Sequence, residues 1–163
     1  MGRVVAVCIG RRRGTVKKAV RSAKFEPDYG IVGDAHAGKG PRQVSILAKE
    51  SIDDIRATIP NLAYGAFAEN IVTSGIDYAS IAVGDRIILG NDVILEVSQI
   101  GKECHTACAI QRLSGDCIMP REGLFCRVLQ GGRLKPGKTA VRQARLGEEV
   151  PEAYTPERRL TWY

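Results

Sequence analysis

The chain has no apolar run that approaches the roughly 20 residues a helix needs to cross a bilayer. Its first residues, "MGRVVAVCIGRRRG", contain a short apolar stretch and no small-residue cleavage site, which disfavours a secretory signal peptide. The sequence therefore predicts a cytoplasmic protein with no membrane partner.

Aromatic residues are scarce, with three Phe, one Trp and five Tyr. None of them alternates with the basic residues near the N-terminus, as a platform that stacks single-stranded bases would require. The sequence also lacks a helix-turn-helix or zinc-finger pattern. A nucleic-acid partner is therefore not expected, although the net charge is +6.

The cysteines do not suit a disulfide framework, because five is an odd number and cytoplasmic thiols stay reduced. Structural zinc usually takes two closely spaced pairs, whereas this chain offers one loose C-x3-C pair, Cys104 and Cys108. A closed zinc site nevertheless stays open as an alternative. The phosphate-loop pattern G-x-x-x-x-G-K-[ST] is absent, which excludes a nucleotide site of that type.

The chain does contain enough apolar sequence for one core, because hydrophobic residues make up 44% of its 163 positions. Eighteen glycines and seven prolines imply many turns and favour short strands over a helical bundle. We predict a mainly β (α+β) fold, a barrel-like antiparallel β domain with one or two short helices. The predicted domain covers 3–145, and 146–163 form a C-terminal arm.

Hydrophobic patterns predict the elements of the first half. The β-branched run 3–10 indicates a buried strand, and 19–27 alternates apolar and polar residues as a second strand. The segment "QVSILA" predicts a strand that runs into a helix over 49–60, ended by Pro60. Residues 28–43 between them contain several glycines and predict a loop that a ligand could approach closely.

Two strand–turn–strand patterns predict the second half. In 82–101, two β-rich runs flank Gly90-Asn91-Asp92, which is a hairpin signal. Residues 124–146 contain a strand, a Gly-Gly turn and another strand. Both patterns favour antiparallel pairing.

Positive charge is concentrated before Glu26, where the chain carries eight basic residues and no acid. Such a field favours an anionic partner such as a phosphorylated cofactor or an acidic protein. A solvated basic hairpin is an equally good interpretation. The residues are Arg3, Arg11, Arg12, Arg13, Lys17, Lys18, Arg21 and Lys24.

The five cysteines separate into two kinds. Cys8 and Cys126 lie inside apolar strands, where a free cysteine behaves as a small hydrophobic residue. Cys104 and Cys108 follow a strand end in a polar context that includes Lys102, His105 and Arg112. Cationic neighbours lower the pKa of a thiol, and the thiolate is both a nucleophile and a soft-metal ligand. Cys104 and Cys108 are therefore the candidate catalytic thiols and metal ligands, able to carry a persulfide or bind a metal.

The segment "GDAHAGKGPRQ" is a second candidate site. Asp34, His36, Lys39 and Arg42 lie among glycines, so backbone N–H groups and two cations could face an oxyanion. An ordinary turn with a surface histidine explains the same residues.

The pair Glu69-Asn70 in "FAENI" is flanked by apolar residues, so both side chains are expected to be partly buried and to need partners. Glu69 could pair with Arg42 or position His36. The alternative is a structural hydrogen-bond bracket that holds a loop.

Taken in order, five segments together resemble the MOSC domain, the family named after the C-terminal domain of molybdenum cofactor sulfurase. The resemblance runs from about residue 3 to about residue 145, and the chain is similar to the small stand-alone type without an aminotransferase-like sulfurase domain. The segments are "GIVGDAHAG", "RQVSILAKESI", "GAFAENIVTSGID", "VGDRIILGNDVILEVSQIGKECH" and "EGLFCRVLQGGRLKPG".

The resemblance implies a barrel-like β fold and an association with the molybdenum cofactor, a molybdopterin. Pyridoxal phosphate binding is an association of the family and is not predicted from any residue of this chain. It implies that a cysteine beyond the central hairpin carries sulfur or binds molybdenum. In this chain that position falls on Cys104 or Cys108, and the sequence does not decide between them. The predicted cofactor-binding residues are His36, Lys39, Arg42, Glu69 and Asn70, with Lys102 and His105 beside the cysteines.

The chain departs from the family pattern at two places. Gly40-Pro41 replace the bulky residues that stand-alone relatives often carry before the Arg-Gln pair, and Lys138 replaces the usual acid after "PG". The first departure affects a wall of the pocket, and the second affects the capping of a turn.

The predicted function is to bind a molybdopterin-type cofactor, or to carry sulfur to it, through a cysteine thiolate. A stand-alone domain of this kind needs a partner to supply sulfur, such as a cysteine desulfurase or an enzyme of cofactor biosynthesis. The alternatives are a non-catalytic module that binds or delivers the cofactor and a component of a molybdenum-dependent reductase.

Overall fold

The structure, a computed structural model, describes residues 1–103 and 118–145. The helices of this part are α1 (Lys49–Arg56), α2 (Met119–Glu122) and a 3₁₀ helix, Tyr78–Ser80. The strands are β1 (Gly2–Ile9), β2 (Lys18–Ala19), β3 (Ala23–Glu26), β4 (Gly30–Ile31), β5 (Val44–Ala48), β6 (Ile71–Ser74), β7 (Arg86–Leu89), β8 (Val93–Ile100), β9 (Leu124–Gln130), β10 (Gly132–Leu134) and β11 (Thr139–Gln143).

The strands form a closed barrel, which confirms the predicted fold class. Seven of them follow one another in the order β11-β7-β8-β9-β5-β6-β1, and β1 pairs with β11 to close the ring. The short strand β2 pairs with β1 beside the ring. Strands β10, β3 and β4 form a separate three-stranded sheet. The β7–β8 hairpin confirms the prediction at 82–101, with Leu89 paired to Val93 across the turn.

Strand β5 explains why part of the sequence is continuously apolar rather than alternating. It lies between β9 and β6, and all five of its residues are buried. Ile46 belongs to the apolar cluster inside the barrel, while Leu47 joins Ile52 of α1 in a cluster outside it. Because both faces of β5 are covered, apolar residues are favoured on both.

The pairing of β5 with β6 is parallel, a pair that the prediction of an antiparallel barrel did not include. A parallel pair needs a crossover rather than a tight turn, and here α1 and the loop 57–70 provide it. Helix α1 ends at Arg56 and not at Pro60, because the chain turns back toward the helix there. Arg56 Nε donates to Leu62 O at 2.9 Å, and its guanidinium lies 4.4 Å from the Tyr64 ring centroid.

Two further expectations are corrected by strand partners. The predicted strand 19–27 divides into β2, which pairs with β1, and β3, which pairs with β4 and β10. The strand after the Gly-Gly turn, β10, likewise pairs with β3 and not with β9. The chain passes so close to β3 that a Cβ at Gly131 would lie 2.3 Å from Phe25 O. The two halves of each segment pair with different strands, so neither segment forms one continuous strand.

The barrel closes at a tight seam between β1 and β11. Gly2 pairs with Ala140, and a Cβ on Gly2 would lie 2.6 Å from Ser74 O and 2.8 Å from Ala140 O. Side chains inside the barrel are fully enclosed, and burial of each Ile or Leu contributes about 1.5–3 kcal/mol to the free energy of unfolding.

Among the helices of the described ranges, none is long and apolar enough to span a membrane.

Candidate functional site

A small cleft brings together residues from several of the predicted site segments. It lies where β5 begins, beside the loop 32–43 and the end of β8. Its volume is about 20 Å³, room for about one water molecule. The lining residues are His36, Arg42, Ser45, Phe67, Ala68, Asn70, Lys102, Met119 and Phe125.

Behind the cleft lies a buried ion pair. Lys17 Nζ is 2.7 Å from Asp34 Oδ1 and 2.8 Å from Asp34 Oδ2, and both side chains have no exposed surface. Asp34 also accepts from Gly10 N at 3.1 Å and from His36 N at 3.0 Å. Four donated hydrogen bonds fully occupy this carboxylate, as a buried charge requires.

The pKa values of the pair follow from burial and from these contacts. Burial raises the pKa of Asp34, but hydrogen bonds from His36 and Lys17 outweigh it and hold the pKa well below its ordinary value. Burial lowers the pKa of Lys17, and the bond and charge of Asp34 oppose that change. Lys17 is thus a structural cation rather than part of the solvated basic field predicted for the N-terminal segment.

His36 lies between this ion pair and the cleft. Its Nδ1 atom is 2.9 Å from Lys17 Nζ, and 29% of its side chain is exposed. The structure therefore places His36 on the cleft wall with one ring nitrogen engaged from behind, which an ordinary surface turn would not require.

Glu69 and Asn70 form the structural bracket that the sequence left as an alternative. Glu69 accepts from Gly65 N at 2.5 Å and from Phe67 N at 2.9 Å, so its oxygens face its own loop rather than Arg42 or His36. Burial raises the pKa of Glu69 despite these bonds. Asn70 Oδ1 accepts from Ser45 N at 3.0 Å, and Nδ2 donates to Cys8 O at 3.1 Å. Of the two, Asn70 lines the cleft.

Three cationic residues were predicted to bind an anion, and two of them reach the cleft. Arg42 is exposed and lies over the Phe125 ring, 5.8 Å from its centroid. Lys102 is half-buried, and its backbone N donates to Pro120 O at 3.1 Å, which ties the end of β8 to α2. Lys39 is exposed and is not one of the cleft-lining residues.

The loop that holds Glu69 is joined to the ion pair through Gly65. Lys17 N donates to Gly65 O at 2.8 Å, and a Cβ on Gly65 would lie 2.1 Å from Lys17 O. Gly65 also has φ +93°, which an L side chain rarely adopts. The two loops therefore pack backbone against backbone, and only glycine allows that approach.

The two candidate thiols cannot be placed, because Cys104, His105, Cys108 and Cys117 lie outside the described residues. Cys8 and Cys126 are free and buried, which confirms their interpretation as core residues. Burial raises the pKa of Cys8 to about 12 and also raises that of Cys126. Within 1–103 and 118–145, no three His, Cys, Asp or Glu residues are grouped so that they could hold a metal ion.

A larger groove of about 540 Å³ lies on the outer side of the barrel. Arg86, Glu96 and Arg127 share one register across β7, β8 and β9 and line it together with Arg145. Pro41 lines the groove while Arg42 lines the cleft, so the turn 40–42 separates the two. The sequence did not predict this groove, because strand register decides which exposed side chains become neighbours.

Sequence reasoning also missed Lys17, Ser45, Met119 and Phe125. Lys17 is one of the eight basic residues that precede Glu26, and no local sequence feature distinguishes it from the other seven. A usable signal was Asp34, since an acid beside apolar strands needs a cation. That signal indicates that a partner exists without indicating which lysine or arginine it is.

Comparison with known proteins gives one family and several solved structures of the same fold. The family model described as the MOSC domain matches residues 33–141. A protein named "Reductase" from Gibberella moniliformis is 28% identical over 160 residues, covering 85% of this chain and 28% of the reductase. The chain therefore spans less than a third of the length of that relative.

Solved structures support the same architecture. The YuaD protein from Bacillus subtilis superposes with a TM-score of 0.73 at 21% identity, over 89% of this chain and 98% of that one. YiiM from Geobacillus stearothermophilus gives a TM-score of 0.67 at 19% identity, over 89% and 76%. YiiM from Escherichia coli gives 0.65 at 17% identity, over 98% and 77%. At these identities the likeness shows the fold alone.

Proposed function

The chain belongs to the MOSC domain family, which is associated with the molybdenum cofactor, and from that premise we propose that it binds a molybdopterin-type cofactor or transfers sulfur to it. The thiolate of Cys104 or Cys108 carries this function. The predicted domain boundaries, 3–145, enclose the matched range and stay a prediction, as do the cytoplasmic location and the arm 146–163.

The observation that carries the proposal is the position of Lys102 in the cleft beside His36 and Arg42. Cys104 follows Lys102 by two residues. The candidate thiol Cys104 is therefore close in sequence to a residue that lines the cleft. Among the described residues, the cleft is the polar site nearest along the chain to either candidate thiol.

The residues of the cleft suit the anionic end of the cofactor. Arg42 and Lys102 supply positive charge, and His36 supplies a polar ring on the same wall. These groups would hold a phosphate, and the metal of a bound cofactor would supply a centre that takes thiolate or sulfide ligands. A volume of about 20 Å³ has room for about one water molecule, so it admits one oxygen atom of a phosphate and leaves the pterin outside the cleft.

Sulfur transfer through this chain needs a donor persulfide, R–S–SH, such as that of a cysteine desulfurase. The chain's thiolate attacks the terminal sulfur of the donor, so that one S–S bond forms while another breaks. The donor leaves as R–S⁻, and the chain carries Cys–S–SH. Positive charge near the thiolate favours this step, because the thiolate and not the thiol is the nucleophile.

Serine substitutions test the proposal in protein purified from a host that makes the cofactor. We expect Cys104→Ser or Cys108→Ser to abolish persulfide formation and molybdenum retention, measured by a persulfide probe and by elemental and pterin analysis. Cys8→Ala, which removes a buried thiol, is the matched control and retains both. Equal labelling and equal molybdenum content in all four proteins would contradict the proposal.

A reductase component is the second candidate, favoured by the similarity to the protein named "Reductase" from Gibberella moniliformis. This chain covers 28% of that protein, so the test of this candidate supplies an electron donor separately. Turnover of an N-hydroxylated compound with added electron donor would favour this candidate. Bound metal and pterin without persulfide or turnover would favour a delivery module.

A further inference from the structure

Lys17 is an unusual residue to find behind a ligand cleft, because lysine is almost never fully buried unless it is paired. Its ammonium has three N–H donors and no acceptor. Each donor has one partner at hydrogen-bond distance: Asp34 Oδ1 at 2.7 Å, Asp34 Oδ2 at 2.8 Å and His36 Nδ1 at 2.9 Å. Asp34 alone accounts for two of these contacts, and the third is left for the histidine.

The contact with Lys17 fixes where the ring proton of His36 lies. Because an ammonium can only donate, Nδ1 must accept, and a neutral imidazole then carries its hydrogen on Nε2. A neutral amine at Lys17 would leave the buried Asp34 carboxylate with no cation at hydrogen-bond distance, since His36 Nδ1 is 3.8 Å from Asp34 Oδ2, and an uncompensated buried charge is strongly unfavourable. The ion pair and the tautomer of His36 are therefore coupled.

We propose that Lys17 is a positioning residue that holds His36 as an Nε2–H donor toward the cleft, so that the cleft recognises an oxyanion. Arg42 and Lys102 supply charge beside it, and Nε2–H supplies a directed hydrogen bond to an acceptor oxygen. The ligand class rests on the proposed function, in which the cofactor presents a phosphate. The orientation of the histidine does not depend on it.

The fold holds Lys17 rigidly enough for this role. Its backbone N donates to Gly65 O at 2.8 Å, and Gly65 N donates to Glu69 Oε1 at 2.5 Å. Asp34 is fixed by Gly10 N and by the amide of His36 itself. The loops at residue 10, residues 34–36 and residue 65 thus fix the backbone of Lys17 and the carboxylate that binds its ammonium group.

The neighbouring lysine provides a matched control. Lys18 is exposed and pairs through its backbone with β1, so Lys18→Met removes the same charge from the adjacent residue without touching His36. Lys17→Met leaves Asp34 unpaired and risks the fold. The double variant Lys17→Met/Asp34→Asn removes both charges together and keeps the site measurable.

The test combines nitrogen NMR of the imidazole with titration of inorganic phosphate and of molybdate. His36→Gln assigns the signals, since the chain has two histidines. We expect the Nε2–H tautomer in the parent and in Lys18→Met. In Lys17→Met and in the double variant we expect a mixed or Nδ1–H tautomer, with affinity for both anions about tenfold weaker, the loss of one hydrogen bond to a charged group.

An Nδ1–H tautomer in the parent, or an unchanged tautomer in the double variant, would overturn the proposal. A changed tautomer with unchanged affinity for both anions would overturn it as well, because the histidine would then not recognise the oxyanion. None of these readings depends on Cys104, Cys108 or molybdenum retention. The positioning role and the sulfur or cofactor chemistry can therefore fail separately.

Discussion

At the scale of single residues, the molecule separates buried groups that hold the structure from groups that face the cleft. Lys17, Asp34 and Glu69 have their polar atoms engaged by the protein itself. Asn70 lines the cleft, but its side chain is also hydrogen-bonded within the protein. His36 stands between the two sets, with one nitrogen bound from behind. Different side chains therefore stabilise the loops and present a hydrogen-bond donor to the cleft.

Asp34 makes stability depend on pH in a defined direction. Its pKa in the folded chain lies below the ordinary value of 3.8, so the unfolded chain binds the proton more tightly. The stability that Asp34 contributes is complete above the unfolded pKa and is lost as the pH falls through the folded pKa. We expect Asp34→Asn to cost about 3–5 kcal/mol near neutral pH, because it strands a buried lysine.

Urea unfolding of the parent and of Asp34→Asn at a series of pH values measures this effect. The difference between the two proteins should narrow as the pH falls from about 6 to about 2, since protons bind Asp34 in the unfolded parent first. A difference that stays constant, or that widens in acid, would show that Asp34 is not the titrating group.

The buried thiols lead to a second prediction at this scale. Cys8 and Cys126 have no exposed surface, and burial raises the pKa of both. We expect a thiol-alkylating reagent to modify at most three of the five cysteines in the native protein, since these two are excluded. In urea all five should react. Mass spectrometry with peptide mapping measures the result, and native labelling of Cys126 would contradict the described core.

At the scale of elements, the predictable parts are those whose signals are local. The β7–β8 hairpin was predicted because its turn lies between two apolar runs, and β5 with α1 because the apolar period changes at Ala48. The partners of β3 and β10, the parallel β5–β6 pair and the cation for Asp34 were not predicted. Each depends on residues far apart in the chain, which no local pattern specifies.

The candidate site was predictable to a similar extent. The motifs placed His36, Arg42, Asn70 and Lys102 in one region, and the structure brings these four to one cleft. The motifs did not show that Glu69 faces its own loop. A glutamate that binds a ligand and one that accepts from backbone N–H groups are the same residue in a sequence motif. The roles of Cys104 and Cys108 stay predictions.

The contact between the Lys17 and Glu69 loops gives a prediction for an element. Gly65→Ala would place a Cβ 2.1 Å from Lys17 O at a residue with positive φ, so the loop must move. Gly14→Ala is the matched control, with φ +73° and nothing within 4 Å of the added Cβ.

We expect Gly14→Ala to cost about 1 kcal/mol, the strain of the left-handed conformation alone. Gly65→Ala should cost at least about 3 kcal/mol, because backbone overlap adds to that strain. Thermal and urea unfolding of both variants measure the costs. Equal losses would show that the loops do not pack as described.

At the scale of the whole molecule, the closed ring of strands makes the two ends of the described domain depend on each other. β11 is held by β7 on one side and by β1 on the other, so neither terminal strand has a complete partner set alone. Closure removes the exposed edges that an open sheet would present. It also gives β1 a second neighbour, β11, in addition to β6.

A substitution at the seam tests this dependence. Gly2→Ala would push a Cβ against Ser74 O and Ala140 O, and we expect the amides of β1 and β11 to lose protection from hydrogen exchange together. Val141→Ala, whose side chain is exposed on the same strand, is the control and should leave both protected. Loss of protection in β1 alone would show that the ring does not open as a unit.

The seam also sets how this domain could sit within a longer polypeptide. Gly2 and Ala140 are hydrogen-bonded neighbours across β1 and β11, so the chain enters and leaves the barrel at adjacent points. A domain with adjoining entry and exit can be inserted into a loop of a host protein without separating the parts of the host. The fold is therefore compatible with insertion into a longer polypeptide.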